Sequence, residues 1–117
     1  MKYMMLFWVD ESAETTADED AAMMVAVKSW VDQMTERGIV VHGGALRSAG
    51  EAAIIRVRNG EVLVSDGPFA ETKEQVGGYS VVECADLDAA IRLAAGHPLA
   101  RTTQVEVRPY WDAPWDH

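Results

Sequence analysis

The sequence predicts an α+β domain in which a split βαβ arrangement is interrupted by a β-hairpin. Three observations predict it. A nearly continuous apolar run opens the chain at residues 2–9, as in a strand covered on both faces. Two stretches with helical spacing and capping residues lie far apart in the chain. Asn59-Gly60 stands between two β-rich runs, which specifies a two-residue type I′ hairpin.

The elements follow in order. Residues 10–18 are polar and acidic, a loop. Thr16 with Glu19 forms a capping-box pattern, and Asp18, Glu19 and Asp20 suit the positive end of a helix dipole. Met23, Val27, Trp30 and Met34 then recur three and four apart, the apolar stripe of a helix that ends at Gly38. Lys28 and Asp32 pair on the wet face. Ile39 to His42 restarts as a strand that Gly43-Gly44 breaks or bends.

The hairpin register pairs Arg58 with Glu61, Val57 with Val62, Arg56 with Leu63 and Ile55 with Val64. Ile55, Val57, Val62 and Val64 then share one face, expected to be core. Arg56, Arg58 and Glu61 share the other, facing solvent or a polar cavity. Residues 66–77 read as a loop, and Tyr79 to Cys84 as the next strand. Asp86 caps a second helix with Leu87, Ala90, Ile91 and Ala94 as its stripe, stopped by Gly96 and Pro98. Gln104 to Arg108 alternates as a last strand.

This order is the split βαβ, ferredoxin-like pattern with an extra hairpin. Two helices cover one face of such a sheet, and the doubly apolar first strand asks for cover on the other. A second copy of the chain is the natural candidate, so a homodimer is expected. The aromatic tail, with Tyr110, Trp111 and Trp115, is expected to pack against protein.

At 117 residues the chain suits a single domain spanning residues 1–117. Its net charge of −9 gives no electrostatic footprint for nucleic acid and disfavours anionic membranes. No stretch approaches the roughly 20 apolar residues of a membrane span. The first apolar run is short and lacks a cleavage site, so it reads as a strand rather than a signal peptide. A lone cysteine, Cys84, excludes an internal disulfide, and a cytoplasmic location is expected.

The segment from Ser65 to Glu74 is the most unusual. Asp66-Gly67-Pro68 is a stiff turn, and Phe69 has no periodic partner, so it plugs a core or a pocket wall. Asp66, Glu71 and Lys73 offer acids and a base for proton transfer or for polar ligand contacts. Asp66 equally suits fastening the turn through main-chain amides. His97, just past a helix end, serves either as a cap or as an acid/base group at a cavity mouth. Arg56 is a candidate ligand contact for an anionic molecule, or part of a solvated face. His42 reads as a packed or half-exposed ring and His117 as a terminal residue. His42, His97 and Cys84 lack metal-ligand spacing, so neither a metal nor a cofactor is expected.

Asp66-Gly67-Pro68-Phe69-Ala70-Glu71-Thr72-Lys73-Glu74, followed by Gly77-Gly78-Tyr79, resembles the signature of the DGPF branch of the YCII-related proteins. The segments Ile55 to Gly60 and Val105 to Pro109 resemble it too, so the likeness spans the chain. The resemblance implies a dimeric α+β barrel with a cavity between two sheets and the signature loop near it. Bacterial members often sit beside extracytoplasmic-function sigma factors, which implies a sensing or regulatory role. A branch similar in fold cleaves chlorinated aromatics with a histidine–aspartate pair, which implies a lyase- or isomerase-type proton transfer. The first helix here carries Lys28 and Trp30 and no histidine, so of that pair only Asp66 carries over. A small molecule is the implied ligand.

Overall fold

The computed structural model describes residues 1–112 and 115. Residues 113, 114, 116 and 117 lie outside it, His117 among them. Six strands and two α-helices alternate as β1 (Lys2–Val9), α1 (Ala17–Glu36), β2 (Val40–Ala45), β3 (Ala53–Arg58), β4 (Glu61–Asp66), β5 (Gln75–Glu83), α2 (Leu87–Ala95) and β6 (Gln104–Pro109). Four strands form one antiparallel sheet in the order β2-β5-β1-β6. This is the ferredoxin-like arrangement, with β3 and β4 inserted as a separate two-stranded sheet.

The helix ends follow from local chemistry. The Thr16 side chain accepts from the Glu19 N–H while the Glu19 carboxylate accepts from the Thr16 N–H. Gly38, at φ +72°, turns the chain out of α1 in a conformation few side chains tolerate. Asp86 caps α2 by accepting from the Ala89 N–H at 2.9 Å.

Alternation along β1 sorts its side chains. Tyr3, Met5 and Phe7 are buried against the helices, with Trp30 and Met34 of α1 and Ala90 and Ala94 of α2. Burying a side chain such as Met5 or Val82 completely contributes roughly 1.5–3 kcal/mol. Met4, Leu6 and Trp8 point to the other face and are half-buried.

Several expectations are corrected here. Gly43-Gly44 does not break the second strand; β2 runs through both to Ala45, paired with β5. The hairpin has the predicted register throughout, with Asn59 and Gly60 both at positive φ. Its apolar face is not core: Ile55, Val57, Val62 and Val64 are 55–63% exposed. The hairpin pairs only with itself as a sheet, so the alternation was right and the cover was missing. The radius of gyration of 16.4 Å exceeds the roughly 13 Å of a compact chain this long, in keeping with a projecting arm. Leu87 and Ile91 of α2 are likewise open, leaving Ala90 and Ala94 to make its contact. Trp111 and Trp115 pack edge to face at 5.3 Å but stay about two-thirds exposed, so the tail is not buried within this chain.

Candidate functional site

α1 meets the sheet through its second half. Trp30 and Met34 are buried, Val27 and Val31 half-buried, and residues before Met23 exposed. A half-open cavity of about 620 Å3 remains between α1 and the edge strand β2. Small residues make its floor. The register puts Gly43 beside Ser80 and Ala45 beside Gly78, all on the face toward α1. A Cβ on Gly43 would lie 2.8 Å from the Tyr79 carbonyl oxygen, and one on Gly78 3.0 Å from that of Gly44. Close approach of β2 and β5 therefore requires the glycines, and their missing side chains leave the space. Met23, Met24, Val27 and Val31 form an apolar wall, and exposed Lys28, paired to Asp32, also lines the cavity.

His97 lines the inner end. Only 1% exposed, it stacks on Phe7 at 4.1 Å and meets Trp30 nearly perpendicular at 4.8 Å. The Trp30 indole N–H donates to the Leu93 carbonyl at 3.3 Å, which holds that ring. The Leu99 N–H donates to Nδ1 of His97 at 3.1 Å. Nδ1 is thus an acceptor, and the neutral ring carries its proton on Nε2. Nε2 has no hydrogen-bond partner among the described residues. Burial among apolar rings pushes the His97 pKa from 6.5 down to about 4. His97 thus brings an unpartnered N–H donor to the inner end of a cavity that Ser80, Tyr79 and Lys28 also line.

A second cavity, about 650 Å3, lies by the start of α1, with Asp10, Glu19, Asp20, Lys73 and Glu74 among its lining residues. Lys73 stands 3.8 Å from Asp10 there, and Glu74 Oε1 is buried with no hydrogen-bond partner among the described residues. The Ser12 hydroxyl donates to Asp10 and, with Lys73, holds its carboxyl below the usual range against the opposing effect of burial.

The predicted site residues are scattered among these features. His97 lines the first cavity and Lys73 the second. Asp66 closes β4 in an exposed position, and its carboxylate accepts no hydrogen bond among the described residues. Gly67, at φ +93°, makes the turn, its N–H donating to the Ala52 carbonyl. Arg56 and Glu71 are exposed, and Phe69 is 78% exposed. Asp66 and His97 therefore share no cavity within one chain. His97 does cap, but it caps the 3-10 turn Pro98–Arg101 that follows it rather than the helix before. Sequence reasoning missed the pairing of the Tyr79 hydroxyl with His42 Nδ1 at 2.8 Å. No spacing announces it, because it joins two strands 37 residues apart. Among the described residues no cluster of His, Cys, Asp and Glu could hold a metal ion. Nor, among the described residues, is any helix long and apolar enough to cross a membrane.

A family model of the YCII-related domain matches residues 1–115. The chain belongs to the YCII-related family. An uncharacterized protein of Rhizobium meliloti (strain 1021) is 36% identical over 113 residues, covering 93% of this chain and 91% of that protein. Among solved structures, this YCII-related chain resembles the 5-chloro-2-hydroxyhydroquinone dehydrochlorinase of Burkholderia phenoliruptrix AC1100, in complex with 2,5-dihydroxybenzoquinone. The TM-score is 0.58 at 10% identity, over 97% of this chain and 96% of the other. At that identity the likeness is one of fold.

Proposed function

We propose that the cavity between α1 and β2 binds a small, largely apolar molecule carrying a hydrogen-bond acceptor, anchored by the Nε2–H of His97. One observation carries this reading: the buried His97 ring, whose Nε2–H has no partner among the described residues, lines a largely apolar cavity. Leaving such a donor unpaired costs about 1–3 kcal/mol, which a carbonyl, quinone or phenol oxygen would recover. The dehydrochlorinase of similar fold is in complex with 2,5-dihydroxybenzoquinone, a small ring that carries carbonyl acceptors. A cytoplasmic domain of the DGPF branch, assembling as a homodimer, fits the acidic charge and the signature at Asp66 to Glu74.

Lyase- or isomerase-type proton transfer would need a base. Neutral His97 has both nitrogens committed, Nδ1 to Leu99 and Nε2 to its proton, so it polarises an acceptor rather than moving protons. Asp66 could serve only if another copy brought it to the cavity. The second reading, a sensing module that binds without turnover, is favoured by this tautomer.

Calorimetric titration with 2,5-dihydroxybenzoquinone and simple phenols tests the proposal. One saturable site is expected, weakened about tenfold or more in His97→Phe, as loss of about 1.4 kcal/mol implies. Absence of saturable binding by any of these probes at millimolar concentration would overturn it.

A further inference from the structure

Ser80 and His97 are both buried, at 2% and 1% exposure, and both line the α1–β2 cavity. The ligand reading above uses only the histidine. Ser80 stands on the helix-facing side of β5, beside Met5 of β1 and Gly43 of β2. An apolar residue is the ordinary occupant of such a row, as Val82 is two places on. The Ser80 hydroxyl makes no hydrogen bond with any described residue, and a buried hydroxyl left so is unfavourable. A Cβ on Gly43 would lie 3.1 Å from Ser80 Oγ, so the hydroxyl borders the space that this glycine leaves. That space is the cavity floor.

The two polar groups are neighbours across the floor. His97 stacks on Phe7, and Phe7 pairs with Gly78, which places Ser80 diagonal to Phe7 on the same face. Diagonal positions on a sheet are roughly 7–8 Å apart, within the span of one small ring and its substituents. The imidazole and the hydroxyl are not bonded to each other, since Nε2 has no partner among the described residues.

We propose that Ser80 Oγ is a second anchor of this cavity and that the ligand carries two oxygen groups on one small ring. The first oxygen accepts from His97 Nε2–H. The second meets the Ser80 hydroxyl, which can donate or accept. A site with a polar group placed for a hydroxyl or carbonyl rejects the analogue lacking it, because the group is then left unpaired. The inference rests on the ligand reading above and narrows it from one acceptor to two oxygens.

Calorimetric titration of phenol, catechol, resorcinol and hydroquinone into wild type, Ser80→Ala and His97→Phe tests it. At least one dihydroxybenzene should bind the wild type about tenfold or more tightly than phenol. Ser80→Ala should erase that gain and leave phenol binding unchanged, whereas His97→Phe should weaken phenol as well. Urea unfolding without ligand gives an independent check. Ser80→Ala should match or exceed the wild-type midpoint, because it removes a buried hydroxyl that has no partner. A lower midpoint would show the hydroxyl satisfied within the protein, and overturns the proposal. So does a phenol that binds as well as every dihydroxybenzene, or a gain that survives Ser80→Ala; the His97 reading stands in either case. Absence of binding by all four compounds overturns the His97 reading and this one with it.

Discussion

The Leu99 main-chain N–H donates to Nδ1 of His97 across 3.1 Å, and that bond decides what the imidazole can do. With Nδ1 committed and the ring buried, stacked on Phe7 and edge to face with Trp30, the imidazole is held neutral with its proton on Nε2.

The first prediction is a pH dependence of stability. The folded His97 pKa of about 4 lies below the ordinary 6.5, so the unfolded chain binds the extra proton between these values. This contribution is fully present above about 6.5 and is lost as pH falls toward 4. It amounts to about 3 kcal/mol. Urea unfolding at pH 7, 5.5 and 4 should show progressive loss, and His97→Phe should flatten that part of the profile. An unchanged wild-type midpoint between pH 7 and 4 would refute the burial argument.

The second concerns the cavity floor. Gly43→Ala places a Cβ 2.8 Å from a main-chain oxygen that cannot rotate away, so β2 must shift. A cost of about 1–3 kcal/mol is expected, as for overpacking elsewhere. Gly44→Ala meets only the Tyr79 ring at 3.8 Å and should stay within about 0.5 kcal/mol of wild type. The two neighbours therefore make a matched pair, read by denaturant midpoint. Equal losses would show that the floor is not sterically set.

The hairpin turn gives a third. Asn59 adopts φ +51°, where a side chain without local hydrogen bonding costs roughly 1–2 kcal/mol. Asn59→Ala should therefore loosen β3–β4, while Asn59→Gly should not. Amide hydrogen exchange in residues 54–64 is the sensitive measurement. Comparable protection in both variants would contradict it.

Asp66 supplies the last. Its carboxylate is exposed and accepts no hydrogen bond among the described residues, so Asp66→Ala and Asp66→Asn should each change stability by about 0.5 kcal/mol or less. A loss of about 1 kcal/mol in the alanine variant alone, the size of a lost cap, would restore a turn-fastening role.

By itself the sequence determined whatever depends on neighbours along the chain. The capping box at Thr16 and Glu19, the stop at Gly38, the type I′ turn at Asn59-Gly60 and every pair of its register were legible, because each rests on contacts spanning a few residues. The strand and helix order followed from the same local periods. Only the tertiary structure decided which apolar faces find cover. Alternation marks Val57 and Val62 as one face but carries no information on what lies opposite, and among the described residues that face stays more than half exposed. Gly43-Gly44 looked like a break because glycine weakens an isolated strand. Pairing with β5 overrides that, and close approach of the two strands turns the glycines into a cavity floor. His97 takes its tautomer from Leu99, two residues on, but owes its depressed pKa to burial with Phe7 and Trp30, which come from distant parts of the chain. No spacing in one dimension encodes that meeting, since it arises only when α1, β1 and the turn after α2 close on a common core.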